Sequence, residues 1–324
     1  MLGNLFKLLF WQYLRPAMSK LPIWFINSLI HTFNFVQVSV SPGKTKKMAE
    51  ELKNSGLAEG KIFPLKRVYG AFYTQRIRWA KKCLLPAIHS NTVDHYLPVD
   101  GLSFLTSALS QGNGAIMLNP HFGPFLFALP ALGHRNFSVH QVAMISERDI
   151  FGVRTGLRKL VYDAKFQAIE KKIPASFINA SDNPMVIRTV IQTLNNNQVV
   201  FFSSTGRAGK SWKKMPFLGR TACFSLIPFR LALKTGTPLL PVFALNANPI
   251  TRIVIDSPLQ VSKSTTAEDL LQQYIFLLEA YVREYPTNFG YFLYEMRVQA
   301  GKDDHPFFDD YKDISAPGLA DELN

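Results

Sequence analysis

The amino-acid sequence predicts an α/β fold: a mostly parallel central sheet flanked by helices, preceded by an N-terminal helical segment of membrane-seeking character. Three observations carry this expectation. Short continuous apolar runs at Ala115–Leu118, Gln198–Phe202 and Leu239–Phe243 have the length of strands buried on both faces. Longer stretches with helical periodicity separate them, the alternation expected of parallel strands joined by crossover helices. The first 35 residues, by contrast, are crowded with large apolar and aromatic side chains.

A chain of 324 residues with 47% apolar and 13% aromatic residues can bury a sizeable core. It divides into a membrane-associated helical segment (1–40), an α/β domain (41–300) and an acidic flexible tail (301–324). Its two cysteines, Cys83 and Cys223, lie far apart with no further ligand pattern, so neither a disulfide nor a metal centre is expected. The net charge of +13 is unevenly spread: residues 1–100 hold fourteen Lys/Arg against five Asp/Glu, whereas residues 301–324 hold two against seven. A basic face of this kind suits an anionic partner.

From Met1 to Phe35 the apolar pattern is interrupted by Lys7, Arg15 and Lys20 and broken by Pro16 and Pro22. No run reaches the roughly 18–20 residues that a spanning helix needs, and the small-residue cleavage site of a signal peptide is missing. The expectation is a pair of interfacial helices, with Trp11 and Trp24 at headgroup depth and the basic side chains toward anionic lipid. Two helices simply packed on the domain are the plainer alternative. Lys44–Lys82 is basic and helical in pattern, with Phe72, Tyr73 and Trp79 interleaved. That combination can bind single-stranded nucleic acid, but no nucleic-acid module accompanies it, so an anionic lipid-headgroup or acidic-carrier surface is expected and no nucleic acid.

Further along, the pattern predicts helices at 102–109, 125–132, 153–165, 184–194, 225–234 and 267–284, the fourth of them after the capping-type Ser181-Asp182-Asn183. Strands are predicted at 139–145, 173–179 and 253–259. The prolines at 238 and 241 predict an edge or bounded position for the 239–243 strand.

The stretch Gly112–Pro124 holds the main candidate for chemistry. A Gly-punctuated turn and the apolar run 115–118 lead to a single imidazole, His121, in a bend held by Pro120, Gly123 and Pro124. Ligands of open α/β sheets bind beyond the carboxyl ends of the strands, which is where this histidine falls. A lone histidine beside an apolar run is equally compatible with a hydrogen-bonded core residue. A second segment, Phe202-Ser203-Ser204-Thr205-Gly206-Arg207, follows the next buried strand, and the planar fork of Arg207 suits a phosphate. Ser204–Ser211 comes near a nucleotide-binding loop. However, Ser204 stands where the first Gly belongs, and Trp212–Pro216 has no helical pattern, so nucleotide hydrolysis is not expected.

Several motifs in order resemble one family. They are Val99-Asp100-Gly101-Leu102, the Asn119-Pro120-His121-Phe122-Gly123 bend, the Phe202–Arg207 segment, Met215–Arg220, Thr235–Phe243 and Phe289–Arg297. Together they resemble the lysophospholipid acyltransferase superfamily, and within it the lipid A biosynthesis (lauroyl/myristoyl) branch. The resemblance implies transfer of an acyl chain from a thioester donor, acyl carrier protein or coenzyme A, to a hydroxyl or amine of a lipid acceptor. It implies no cofactor beyond that thioester, and a peripheral or monotopic place at the cytoplasmic face of the inner membrane. His121 would be the general base of a His-x4-Asp/Glu motif. Arg207, Lys210, Gly219, Arg220, Gly123 and Arg148 would hold substrate, with backbone N–H groups near Gly123 facing the oxyanion. Both acidic positions of the family are replaced, by Leu126 and Ser204. The carboxylate's role then passes to a backbone carbonyl, water, or an acid such as Asp100 or Glu147. The alternative is a non-catalytic relative that binds lipid or acyl carrier.

Overall fold

A computed structural model describes residues 2–18, 20–58, 64–143, 148–149, 152–153, 155–168, 172–180, 185–205, 211–247, 250–300 and 306–313. The chain opens with α1 (Leu2–Leu9), a π-helical turn (Phe10–Leu14), α2 (Arg15–Met18), α3 (Ile23–Val40), α4 (Pro42–Asn54) and α5 (Pro64–Lys81). A 3-10 turn (Lys82–Ala87) and α6 (Val93–Tyr96) precede β1 (Val99–Asp100), α7 (Leu102–Leu109) and β2 (Ala115–Leu118). A second 3-10 turn (Phe125–Phe127), α8 (Ala128–Gly133), β3 (Val139–Ala143), β4 (Arg148–Asp149), β5 (Gly152–Val153), α9 (Gly156–Ala168) and β6 (Ser176–Asn179) follow. Next come α10 (Val186–Asn195), β7 (Val199–Phe202), β8 (Trp212–Phe217), β9 (Arg220–Ser225) and α11 (Ile227–Thr235). The chain closes with β10 (Leu239–Ala247), β11 (Ile250–Ile255), α12 (Ala267–Glu284), α13 (Pro286–Gln299) and a 3-10 turn (Asp309–Asp313).

Seven strands form the central sheet in the order β1-β11-β10-β2-β7-β3-β6. Every neighbouring pair is parallel except β10 with β11. The mostly parallel sheet expected from the buried apolar runs is therefore present, with helices on both faces. Alternation along β2 divides the core: Ile116 and Leu118 enter one cluster with α10, α11, α12 and α13, while Ala115 and Met117 enter another with α7 and α8. β2 leads through α8 on the second face toward β3. Its neighbour β7 leads through the β8–β9 hairpin and α11, on the first face, back to β10 on the other side of β2. The chain thus leaves two adjacent parallel strands in opposite directions, which opens a crevice beyond their carboxyl ends.

One strand is placed differently from its sequence expectation. β10 is not at an edge, since it pairs with β2 on one side and β11 on the other. Pro241 is tolerated because its carbonyl accepts the Asp256 N–H just past the end of β11. The N–H that proline lacks would point to that same side, where the ladder has already ended. Among the helices, α12 matches its expected span. Thr266 and Asp269 form a capping box at its start, and Pro286 begins α13 directly after it. The 153–165 helix begins only at Gly156, Ser225 belongs to β9 instead of the following helix, and 125–132 begins as a 3-10 turn. Ser181–Asn183, expected to cap α10, lie outside the described residues.

The N-terminal helices combine packing with exposure. Trp11 is 4% exposed, in the cluster with Leu85, Ile88 and Leu97, so it is a core residue and not a headgroup anchor. On α3, Ile26, Ile30 and Asn34 face inward at a spacing of four, and Asn34 Nδ2 donates to Tyr69 O at 3.0 Å on α5. The rest of α3 stays open: Trp24, Phe33, Phe35 and Val40 are each at least 60% exposed. α3 carries no Asp, Glu, Lys or Arg. No helix among the described residues is long and apolar enough to cross a membrane.

The C-terminal residues 306–311 are packed, which corrects the expectation of a flexible tail for this part of it. Phe307, Phe308 and Tyr311 are buried; Cys223 N–H donates to Phe307 O at 2.8 Å, and Ala222 bridges Phe308, extending β9. Arg220 is the centre of this attachment. Its Nη1 donates to Glu51 Oε1 at 2.5 Å, and its Nε and Nη2 grip the two Asp310 oxygens at 2.9 and 2.6 Å. The guanidinium lies 3.6 Å from the Phe308 ring centroid. Tyr311 Oη donates to the same Glu51 oxygen; burial first, and then the Glu51 charge, hold its phenol well above the ordinary tyrosine value.

Glu51 is 1% exposed, and its other cation, Arg297 Nη1, stands 3.9 Å from Oε2, so removing Arg220 leaves a buried carboxylate with only a longer-range counter-charge. Arg220→Ala should cost about 3–5 kcal/mol, and Arg220→Lys, which keeps charge without the fork, should cost less. Thermal unfolding of the three proteins measures this. An unchanged midpoint for Arg220→Ala would remove Arg220 from the structural role.

Candidate active site

His121 lies just beyond the carboxyl end of β2, the fourth of the seven strands, in the crevice between β2 and β7. The register of these strands decides its neighbour. Ala115 pairs with Val199 and Leu118 with Phe202, and continuing that offset by three residues sets His121 beside Thr205. His121 Nδ1 lies 2.5 Å from Thr205 Oγ1, and the His121 backbone N–H donates to the same oxygen at 3.2 Å. Thr205 is 8% exposed. Two aromatic rings complete the setting. Phe292 of α13 stacks on the imidazole at 5.3 Å and 9°, and Phe125 meets it edge-on at 4.7 Å.

The bend is braced from within. Asn119, fully buried, donates from Nδ2 to Phe125 O at 3.2 Å, closing the loop, while its N–H donates to Phe202 O on β7. Gly123 has φ +54°, and a Cβ there would stand 2.1 Å from Ala244 O and 2.8 Å from Asn288 Oδ1. Only glycine fits that approach. Its N–H donates to the backbone Asn288 O at 2.7 Å, and Asn288 Oδ1 accepts the Asn246 N–H, so one residue, through its backbone and its side chain, ties the bend, α13 and β10 together. Phe122, 0% exposed, drives into the aromatic cluster of Phe243, Tyr281 and Phe289. Burial of one such ring stabilises by about 1.5–3 kcal/mol.

The other expected site residues fall in several places. The N–H groups near Gly123 proposed for an oxyanion are committed: Gly123 to Asn288 O, Phe122 to Pro120 O and His121 to Thr205. Gly123 itself therefore shapes the bend. Gly219, at φ +72°, and Leu218, at φ +54°, form the tight turn of the β8–β9 hairpin, whose right-handed twist demands positive φ at both positions. Leu218 N–H donates to Glu279 there. Arg220 makes four donor contacts, the fourth to Ser55 at 3.3 Å, so its fork serves Glu51 and Asp310 instead of a substrate anion. Arg207 and Lys210 lie outside the described residues, and for Arg148 the backbone alone is described, in β4. Ser211 is followed by β8, a strand, so the chain leaves this loop in a way that a nucleotide-binding loop does not.

The substituted acidic positions also have definite surroundings. Leu126 packs on the cluster of α7 and α8, on the opposite face of the sheet from Phe122 and Phe292. Ser204 is 7% exposed and donates from Oγ to Phe202 O at 3.0 Å. Asp100 does not replace the missing carboxylate. It sits on β1, three strands from β2 or roughly 14 Å by strand spacing, and pairs with Arg252. Glu147 lies outside the described residues. Phe72 and Tyr73 of the basic stretch are buried, so they offer no face for a base to stack on. Among the described residues no group of three or more metal-ligating side chains gathers.

Sequence reasoning missed Thr205 because the segment drew attention to Arg207 and to the replaced acid at Ser204, and nothing local marks the threonine between them. It missed Asn288 and Phe292 because nothing in the sequence says which face of α13 meets the bend. A strand register with Leu118 opposite Phe202 is the signal that would have found Thr205.

Residues 71–297 match the family described as bacterial lipid A biosynthesis acyltransferase. No curated protein sequence matches the chain. Among solved structures, it is similar to the 1-acyl-sn-glycerophosphate (LPA) acyltransferase PlsC from Thermotoga maritima, at 14% identity and a TM-score of 0.35, over 80% of this chain and 96% of that one. With about seven-tenths of its length matched, and the α/β sheet and histidine bend in place, the chain belongs to the bacterial lipid A biosynthesis acyltransferase family.

Proposed function

We propose that this protein is a membrane-associated acyltransferase that moves an acyl chain from a thioester, on acyl carrier protein or coenzyme A, to a hydroxyl or amine of a lipid acceptor. The observation that carries the reading is His121, held at the carboxyl end of the central strand by Thr205, Phe125 and Phe292. In the reaction, Nε2 takes the acceptor's proton as its oxygen or nitrogen attacks the thioester carbonyl. The carbon–sulfur bond breaks as the tetrahedral intermediate collapses, and the thiolate leaves with a proton returned by the imidazolium. A base so placed contributes roughly 10²–10⁴-fold and needs no covalent enzyme intermediate.

The N-terminal helices fit a place at the cytoplasmic face of the inner membrane. Tyr13, Trp24, Phe33 and Phe35 are all 60% exposed or more, an apolar surface that water does not favour and a lipid interface does. Lys20, also exposed, and the basic balance of residues 1–100 favour anionic headgroups. A second reading, a non-catalytic protein that binds lipid or acyl carrier, rests on the apolar packing of Leu126 and the local bonding of Ser204, where the family carries acids.

Thiol release from a panel of acyl thioesters, with and without lipid acceptors, separates the two readings. His121→Ala should abolish transfer with a thermal midpoint within a few degrees of the parent. Equal transfer by both proteins would remove His121 as the base, and none by either across the panel would hand the function to the binding reading. Leu126→Glu should not raise the rate, because Leu126 faces the α7–α8 cluster, and should cost about 1–3 kcal/mol. A faster Leu126→Glu enzyme would mean that the family carboxylate can still reach His121.

Vesicle flotation tests the membrane surface. The protein should float with vesicles containing anionic lipid, and replacing both Phe33 and Phe35 with Ser should reduce the floated fraction without lowering the thermal midpoint. A parent protein that stays at the bottom of the gradient defeats this part of the proposal.

A further inference from the structure

We infer that Thr205 is the positioning residue for His121, taking the place that a carboxylate holds in the family motif. The inference deepens the proposed acyl transfer and rests on that reading for its consequence, though not for its geometry. Leu126 cannot accept a hydrogen bond, and its side chain packs toward the other sheet face. What meets Nδ1 is a hydroxyl from the neighbouring strand's end, 2.5 Å away.

The direction of that bond follows from donor counting. A threonine hydroxyl has one proton and two acceptor sites. One site already takes the His121 backbone N–H. When the imidazole is protonated, both ring nitrogens carry protons, so Nδ1 must then donate. Thr205 Oγ1 can accept from Nδ1–H both before and after proton transfer without turning over. A threonine that donated to Nδ1 would have to flip in each cycle. Nδ1–H to Oγ1 is therefore the arrangement that serves the whole reaction, and it leaves the lone pair on Nε2.

A neutral acceptor differs from a carboxylate in one respect. It orients the ring and selects the tautomer, but it adds no negative charge to favour the imidazolium. The aromatic rings of Phe125 and Phe292 constrain the imidazole from other sides. Orientation thus comes from packing together with the hydroxyl. Thr205 is itself held, since it is buried and lies three residues past the end of β7, the strand paired with the one that leads into the bend.

Histidine-selective ¹⁵N labelling tests the geometry without relying on activity, with His121→Ala assigning the signals. In the parent protein at pH above the imidazole's titration, His121 should show a protonated Nδ1 and an unprotonated Nε2. Thr205→Val should shift it toward the Nε2–H form that free imidazole side chains favour, and Thr205→Ser should restore the parent pattern. In transfer assays, Thr205→Val should lower kcat by about 10–100-fold with KM within about twofold, and Thr205→Ser should recover to within about threefold. A parent His121 in the Nε2–H form would overturn the inference, and so would a Thr205→Val protein with unchanged tautomer and kcat. If no protein transfers acyl groups but the tautomer follows Thr205 as stated, the positioning role stands and the catalytic reading falls. The tautomer of the parent needs no variant, so a Thr205→Val protein that fails to fold does not remove the test.

Discussion

The pairing of β2 with β7 is the constraint on which the site depends. Both strands are buried runs, parallel and in register from Ala115 opposite Val199 to Leu118 opposite Phe202. A slip of one residue would turn Ile116 and Leu118 from one core to the other and carry His121 away from Thr205. Side chains on both faces hold the register, because both faces are packed: Ile116, Leu118 and Val200 on one side, Met117, Val199 and Phe201 on the other. The hydrophobic core thus sets the spacing of a polar pair that lies just outside it. The chemistry inherits its precision from the packing of these apolar side chains.

The same economy appears where α13 meets the bend. Its Asn288 receives the Gly123 N–H and orients β10, and one turn further Phe292 stacks on the imidazole. The helix therefore does two jobs with residues four apart, which lie on one face. It also explains why position 123 is glycine: a side chain there would collide with Ala244 O on β10 and Asn288 Oδ1 on the helix. The Arg220 network shows the opposite case, in which a residue with the chemistry of an anion binder is consumed by the fold. Glu51 is buried and needs a counter-charge, Asp310 arrives with the C-terminal residues, and the arginine fork satisfies both.

Much of the fold was legible before any coordinates. The apolar runs at 115–118 and 198–202 and the helices at 102–109 and 267–284 follow from period and length, since runs this short suit strands buried on two faces and the longer periodic stretches suit helices. The position of His121 at a strand's end was legible for the same reason. The place of β10 was not, because Pro241 signals an edge locally, while the actual sheet ends its ladder at that residue on the β11 side. Trp11 has the look of an interfacial aromatic in sequence, and its burial is decided by helices that arrive much later in the chain. Tail residues 306–311 carry acids, but Phe307, Phe308 and Tyr311 outweigh them by burying three rings.

The sequence by itself determined the α/β class, the alternation of buried strands and helices, the bend with its histidine, and the replacement of both family acids. These are properties of neighbouring residues, and local period, chain stiffness and side-chain chemistry are written in order along the chain. Only the tertiary structure decided who stands beside whom: Thr205 beside His121, Asn288 against Gly123, Arg220 between Glu51 and Asp310. Those partners are separated by 84 to 169 residues, and what joins them is the register of strands and the choice of helix face. Both are set by the sum of many packing contacts across the core, so no single stretch of sequence carries them.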